Sequence, residues 1–182
     1  STGNAVDFAD PLIPRYGSNA CSNLTRGIIV GGQGEGGAPN ATNISTLTIM
    51  NTSSTGSESV FGDLSVLRSG VSATSTQTRG IFAGGNTNTG PSVDINIIDY
   101  VTISTFGDAV DFGDLTVARG PYGNSTSNNT RGVFAGGYRF SPATKTNTLD
   151  YITISSKGDA IDFGDSTVPD WNHCGLSDSH GG

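Results

Sequence analysis

One eight-residue motif occurs three times in this chain of 182 residues, at nearly equal intervals. It reads Thr-Arg-Gly-Ile-Ile-Val-Gly-Gly from Thr25, Thr-Arg-Gly-Ile-Phe-Ala-Gly-Gly from Thr78 and Thr-Arg-Gly-Val-Phe-Ala-Gly-Gly from Thr130. The interval is 53 residues between the first two copies and 52 between the last two. A fixed period of about 50 residues indicates a repeat architecture, in which one unit buries its apolar surface only by packing on its neighbours.

A second motif, Phe-Gly-Asp, recurs at the same interval and places an aromatic residue late in each repeat. Its phenylalanines are Phe61, Phe112 and Phe163, and Phe8 lies in a degenerate copy that reads Asp-Phe-Ala-Asp. The two motifs together predict a single repeat array over the whole chain, 1–182. The three predicted repeats are approximately 16–68, 69–119 and 120–170. Partial strands are predicted at the two ends, in 1–15 and 171–182.

Composition decides what kind of unit repeats. Only 34% of the residues are hydrophobic and 27 are glycine, but the apolar residues cluster in short β-branched runs such as 95–103. Runs of this kind, bounded by Gly, Asn and Ser, predict strands and turns, and no stretch keeps the roughly 3.6-residue apolar period of a helix. We therefore expect an all-β chain. In the second repeat the predicted strands are 72–76, 80–83, 97–103 and 110–112.

A glycine pair follows the second predicted strand of every repeat. Residues without a Cβ atom allow close backbone approach and positive φ, which inner strands crowded around an axis require. Four strands in about 50 residues, with a glycine pair after the second, is the layout of a propeller blade. Each repeat is therefore predicted to be one four-stranded blade.

The third repeat carries a more specific resemblance, in Thr130–Gly137, Asn147–Ser155 and Gly158–Asp165. The order of apolar strand, Gly-Gly, variable loop, Tyr and returning aromatic strand resembles a kelch repeat. Its Ser-, Thr-, Gly- and Asn-rich variety is similar to kelch-like structural and tail-fibre-like proteins of tailed bacteriophages, especially those of marine cyanobacteria. The chain differs from kelch repeats in having Phe late in each repeat, where they have Trp. The resemblance implies a kelch-like β-propeller-type array of about three four-stranded blades, located in a virion.

Most of the basic residues recur with the repeat as well. Six of the nine fall in two columns, Arg15, Arg68 and Arg119, and Arg26, Arg79 and Arg131. We expect these arginines to face the recurring aspartates Asp10, Asp63, Asp114 and Asp165. An anion site or a carboxylate array for a metal would be the functional interpretation. A turn-capping Asp and an inter-repeat Arg pair are favoured instead, because every repeat needs them.

The inventory of reactive side chains argues against an enzyme. The only histidines are His173 and His180, and no HExxH, CxxC or P-loop motif is present. The Tyr, His and Cys ligands of kelch-type copper oxidases are not available at separated positions. Asp108, Asp111 and Asp114 resemble a row of carboxylates that could bind a metal ion, but Asp111 faces away from the other two along a strand. No catalytic residue, metal site or cofactor is therefore predicted.

The formal net charge of −7 limits the expected partners. Nucleic acids are bound mainly through clustered Lys and Arg, so neither they nor an anionic membrane surface is expected. No apolar run approaches the ~20 residues that cross a bilayer. Cys21 and Cys174 are too few for a disulfide framework. Buried small residues are favoured for these two cysteines, and a disulfide is the alternative.

The loop that follows each glycine pair differs completely between the repeats: Gln33–Asn43, Asn86–Asn96 and Tyr138–Asn147. Loops that diverge on a fixed frame indicate binding. The third loop holds the densest aromatic and cationic group of the chain, and the only Trp lies further along. The candidate binding residues, of types that commonly anchor interfaces, are Tyr138, Arg139, Phe140, Lys145, Trp171 and His173. A packed loop and a capping residue are the alternative interpretation.

The predicted function is that of a non-enzymatic virion protein of a phage, in a tail fibre or a capsid-attached appendage. Its loops would bind a host surface, including a surface glycan, or a neighbouring virion protein. The alternatives are a stand-alone carbohydrate-binding lectin and, more distantly, a kelch-type oxidase. Pairing with another copy or with a neighbouring protein is also expected, because 1–10 and 171–182 match complementary halves of one blade. The alternative is that the chain is a fragment of a longer propeller. Unpaired blade edges are either covered or used for association.

Overall fold

The computed structural model describes residues 3–34, 42–88, 92–120, 124–171 and 175. These residues form sixteen strands and no helix, which confirms the all-β prediction. The strands make three four-stranded antiparallel sheets and two short hairpins. Nothing in the described part of the chain is a long apolar helix of the kind that spans a membrane.

Each four-stranded sheet takes its strands from one predicted repeat. Sheet 1 consists of β1 (Asn19–Ser22), β2 (Arg26–Val30), β3 (Thr46–Asn51) and β4 (Ser59–Asp63). Sheet 2 consists of β5 (Ser72–Ser75), β6 (Arg79–Ala83), β9 (Ile97–Thr102) and β10 (Val110–Asp114). Sheet 3 consists of β11 (Asn124–Ser127), β12 (Arg131–Ala135), β15 (Thr148–Thr153) and β16 (Ile161–Asp165). The hairpins are β7 (Asn86–Thr87) with β8 (Val93–Asp94), and β13 (Tyr138–Phe140) with β14 (Ala143–Lys145).

The apolar cores lie between consecutive sheets and not within one sheet. In β6, Phe82 packs into the core shared with sheet 1, whereas its neighbour Ile81 packs into the core shared with sheet 3. Successive strand residues point to opposite faces, so the middle sheet buries both of its faces. A strand that buries both faces needs apolar residues at successive positions, which explains the short, almost continuous apolar runs of the sequence. These runs pack each repeat against its neighbours.

The first strands of the sheets lie side by side, with β5 next to both β1 and β11. Their small side chains connect them: the Ser75 hydroxyl donates to the Ser22 carbonyl at 2.7 Å, and the Ser127 hydroxyl donates to the Ser75 carbonyl at 2.8 Å. The glycine pairs permit a similarly close approach. Gly85 has φ +112°, and a Cβ atom on it would lie 2.9 Å from the Ser69 carbonyl oxygen. The predicted close backbone approach and positive φ of the glycine pairs are thus confirmed.

The last strands of sheets 1 and 2 hydrogen-bond to the following sheet. The Phe61 carbonyl accepts from Gly107 N at 3.0 Å, and the Phe112 carbonyl accepts from Gly158 N at 2.8 Å. The Phe8 carbonyl accepts from Gly56 N at 3.3 Å in the same way. The segment around Phe8 is not a strand in the structure, but it occupies the place of a preceding last strand, as its sequence predicts.

The arginines of the first column cross from one sheet to the next, and their partners were predicted wrongly. Arg68 Nη2 lies 3.1 Å from Asp99 Oδ2 in β9, and Arg119 Nη2 lies 2.8 Å from Asp150 Oδ2 in β15. Burial lowers the pKa of both guanidinium groups, and the aspartates oppose this shift.

The recurring aspartates after each Phe-Gly do not pair with this column, because they lie at the ends of the last strands, where they are exposed or half-buried. Asp63 is an example, and its carboxylate accepts hydrogen bonds from the hydroxyls of Ser45 and Thr46, both at 3.0 Å.

The second arginine column also reaches the following sheet. Arg26 donates to the Ile103 carbonyl at 2.9 Å, and Arg79 donates to the Ile154 carbonyl at 2.7 Å. Arg79 also lies over the Tyr100 ring, 5.0 Å from its centroid. Both columns are therefore structural, as the sequence favoured.

The third repeat lacks two of these connections. Ser166 stands where the first two repeats have the buried Leu64 and Leu115, and Asp170 stands at the position of the first arginine column. Phe163 is 53% exposed, whereas its equivalent Phe112 is 2% exposed. Within the described residues the sheets form no closed ring, so the propeller itself stays a prediction.

Cys21 is a small buried residue of the core between sheets 1 and 2, as favoured from the sequence. It is a free thiol, and burial raises its pKa to about 12. Cys174 lies outside the described residues, as do most residues of the predicted partial strand 171–182.

Asp99→Asn should destabilise the array strongly, because it leaves the Arg68 guanidinium buried without a counter-charge. We expect a loss of about 3–5 kcal/mol in the free energy of unfolding, measured by urea denaturation. The exposed Asp7→Asn is the matched control and should change stability by less than about 0.5 kcal/mol. Equal stability of the two variants would contradict the assigned role of the ion pair.

Gly113→Ala and Gly164→Ala test the contact between sheets 2 and 3. Both glycines have positive φ, +148° and +123°, so both substitutions strain the backbone. Only at Gly113 would the new Cβ atom overlap the next sheet, at the carbonyl of Gly158. We expect Gly113→Ala to cost about 1–3 kcal/mol more than Gly164→Ala, measured by thermal denaturation. Equal costs would contradict a close contact at Gly113, because they would show that sheets 2 and 3 accommodate the added methyl group without loss of stability.

Candidate functional site

The loops between second and third strands share one end of the sheets with the segments that join one sheet to the next. We call this end the loop face. In the second repeat, Ser69 and Asn86 exchange both backbone hydrogen bonds, at 3.1 and 2.9 Å. In the third repeat, Gly120 N donates to the Tyr138 carbonyl at 2.8 Å. The variable loops are therefore fixed to the connecting segments.

The loops of neighbouring repeats are also hydrogen-bonded to one another. The Asn43 side-chain amide donates to the Asn86 carbonyl at 2.7 Å. The Phe140 backbone N–H donates to the Asp94 carboxylate at 2.6 Å. Each contact runs from one repeat to the next, so the described parts of the loops form one continuous, preorganised surface.

Three aromatic rings meet on this surface in the third repeat. Tyr138 and Phe140 lie two residues apart on β13 and therefore on the same face of the hairpin. Their ring centroids are 5.2 Å apart and nearly perpendicular, with an interplanar angle of 80°. Trp171 approaches Tyr138 from the connecting segment, with centroids 5.2 Å apart and planes tilted by 37°.

A charged pair lies beside these rings. Lys145 is the cross-strand partner of Tyr138 in the hairpin, and its Nζ lies 3.7 Å from Asp170 Oδ1. Both charged side chains are about half exposed, at 47% and 44%. We call Tyr138, Phe140, Lys145, Asp170 and Trp171 the aromatic site. It offers flat apolar rings next to a hydrogen-bond donor and an acceptor.

The structure thus brings together four of the six residues singled out from the sequence. Arg139 is separate, because it points to the opposite face of β13, next to Thr144. Its Nε atom is buried and has no hydrogen-bond partner among the described residues. His173 lies outside the described residues. Asp170 was missed, although its place in the arginine column was the signal that could have found it.

The aromatic site is particular to the third repeat. The position of Tyr138 is held by Gln33 and Asn86 in the other two loops. The residues equivalent to Trp171 in the segments that follow the first two loops are Ser69 and Gly120. The four-stranded sheets therefore repeat, whereas the aromatic residues at the positions of Tyr138 and Trp171 occur together only in the third repeat.

The opposite end of the sheets carries a shallow cleft of about 260 Å³ between sheets 1 and 2, lined in part by Arg26, Ile49 and Phe106. A similar cleft of about 250 Å³ lies beside it, around Tyr100 and Phe106. Arg26 is already bonded to the following sheet. These clefts therefore follow from the packing of the frame.

Among the residues that the structure describes, no three His, Cys, Asp or Glu side chains are grouped to hold a metal ion. Asp108, one of the three aspartates considered above as metal ligands, accepts a hydrogen bond from Asp63 N at 3.0 Å. The pKa of Asp114 is raised, first by burial and then by the neighbouring Asp159 and Asp111 carboxylates. These aspartates belong to the contacts between sheets.

Comparison of the chain with protein-family models and with curated proteins found no match. The kelch resemblance therefore remains a prediction from the sequence, and function has to be inferred from the loop face.

Tyr138→Ala should shift the fluorescence of Trp171 to longer wavelength, because it removes the ring that covers the indole. Trp171 is the only tryptophan, so the emission spectrum reports on the aromatic site alone. Arg139→Ala, on the other face of the same strand, is the control and should leave the emission maximum in place. An unchanged spectrum in Tyr138→Ala would contradict the observed ring contact.

Proposed function

We propose that this chain is a non-enzymatic virion protein of a tailed phage, in a tail fibre or a capsid-attached appendage. Its loop face binds a host surface or a neighbouring virion protein. The observation that carries the binding role is the aromatic site, which lies on a surface held rigid by a repeated frame. Partly exposed aromatic rings next to charged groups are typical anchors of interfaces.

The rest of the structure supports a scaffold role and not a catalytic one. The two buried arginine–aspartate pairs serve contacts between sheets, for example Arg68 with Asp99. Cys21 is buried as a neutral thiol. A net charge of −7 disfavours nucleic acid as the partner. We propose that the protein needs neither a metal nor a cofactor.

The proposal includes a kelch-like propeller-type assembly. Three sheets with small-residue first strands side by side are compatible with part of such a ring, which normally has four to eight blades. Further sheets would come from other copies of the chain, from a neighbouring protein or from further repeats of a longer protein. The half-exposed Phe163 on β16 supports such packing, since Phe61 and Phe112 are covered at the equivalent contacts.

A stand-alone carbohydrate-binding lectin is the second candidate. The rings and the Lys145–Asp170 pair of the aromatic site favour it, because sugars offer both C–H faces and hydroxyl groups. The two candidates share the site and differ in whether the protein is part of a particle.

Mass spectrometry of purified particles, from a phage that encodes this chain, should detect its peptides at a level comparable with known structural proteins. Antibodies against the loop face should label intact particles, because the proposed role needs this face exposed. The control is a phage-encoded enzyme that is not packaged. Absence of the chain from washed particles would reject the virion role and leave the lectin.

A further inference from the structure

Part of the apolar surface of the aromatic site is exposed. Phe140 is 40% exposed and is nearly perpendicular to Tyr138, so its own face is not covered by that neighbour. Tyr138 and Trp171 are each partly buried. Aromatic faces carry negative potential and attract weakly positive C–H groups. The C–H face of a pyranose ring fits such a surface.

The polar groups at the edge of the rings match hydroxyls. Lys145 supplies N–H donors and the Asp170 carboxylate supplies acceptors, with Nζ and Oδ1 3.7 Å apart. A donor and an acceptor at this separation can serve two neighbouring hydroxyl groups of one sugar, each of which both donates and accepts. Asp170 Oδ1 also accepts from Trp171 N at 2.8 Å, and both charged side chains are about half exposed.

The local charge balance favours a neutral ligand. Lys145 is paired with Asp170, and the Asp94 carboxylate accepts from Phe140 N at 2.6 Å. Arg139 lies on the other face of the hairpin. The cation beside the rings is therefore already compensated, and an acidic sugar would meet two carboxylates near its binding position.

The site needs little ordering to bind. The connecting segment is held at Asp170 by two backbone hydrogen bonds, from Gly137 N to the Asp170 carbonyl at 3.1 Å and from Asp170 N to the Thr146 carbonyl at 3.3 Å. Preorganised groups bind with a smaller entropy cost. This matters most for a small ligand with few contacts.

An extended peptide is a poorer fit to the same hairpin. Peptides that add a strand need an unpaired sheet edge. One edge of β13 is paired with β14, and the other is occupied by Gly120 and by Asp94, through hydrogen bonds to Tyr138 and Phe140.

We infer that the aromatic site binds one ring of a neutral sugar, stacked on Phe140 beside Trp171, with its hydroxyls hydrogen-bonded by Lys145 and Asp170. This inference rests on the proposed binding role of the loop face, and it specifies the chemical class of the ligand. A terminal neutral hexose of a surface glycan is the ligand that this geometry describes.

The test is a glycan array of neutral and acidic oligosaccharides, probed with the whole chain, followed by calorimetric titration of the best neutral glycan. Phe140→Ala and Trp171→Ala should each weaken binding by about tenfold or more, and Asp170→Asn should weaken it by a smaller factor. Phe106→Ala is the matched control, because it removes an aromatic ring that is 57% exposed at the opposite end of the sheets. Its affinity should equal that of the unaltered chain, and circular dichroism should show that all variants fold.

Binding to acidic glycans only, or to no glycan, would overturn the inference. So would neutral-glycan binding that Phe140→Ala and Trp171→Ala leave unchanged. A second arm measures binding of the labelled chain to bacterial cells. Cell binding that survives periodate oxidation of surface sugars and is lost after protease treatment would mean a protein partner, which overturns the sugar and leaves the binding role intact. Sugar binding by a chain absent from particles would support the inference and reject the virion role.

Discussion

The buried ion pair between Arg68 and Asp99 fixes the distance between the first two sheets, and Arg119 with Asp150 repeats it between the second and third. Each arginine leaves one repeat and ends beneath the next. Neither partner can move away without leaving a charge in an apolar core, which costs several kcal/mol. The backbone contacts at the last strands and at the glycine pairs lie across the same interfaces between sheets.

The first repeat shows what happens when the aspartate is replaced. Thr48 stands at the aspartate position, and Arg15 donates to its hydroxyl at 3.2 Å and to two backbone carbonyls. Arg15 is only partly buried, whereas the Arg68 side chain is fully buried. The pKa of Arg15 is lowered by burial, and Glu58 opposes the shift. An arginine closer to water thus needs less compensation, so a full ion pair occurs only where both neighbouring sheets cover the group.

Sequence periodicity predicted the positions of the strands and the backbone conformation of the glycine pairs, because both depend on local spacing along the chain. It failed for the partners of Arg68 and Arg119, since an aspartate in the middle of an apolar strand gives no local sign of its role. The aromatic site was predicted in part. Strand alternation could have separated Arg139 from Tyr138 and Phe140, but the contact of Trp171 with Tyr138 depends on how the connecting segment returns, which spacing does not encode.

The aromatic site and the loss of a contact between sheets have one origin in the third repeat. Where the other repeats place an arginine that enters the next sheet, this repeat has Asp170, and a carboxylate there finds its counter-charge on the loop face, in Lys145. The backbone of this connecting segment is bonded to Gly137 and Thr146, just as Arg119 is bonded to Gly85 and Ile95 in the second repeat. The residue after Asp170, Trp171, lies against Tyr138. A change of charge at one recurring position thus places Asp170 beside the rings of the proposed binding surface, where the other repeats have a structural arginine.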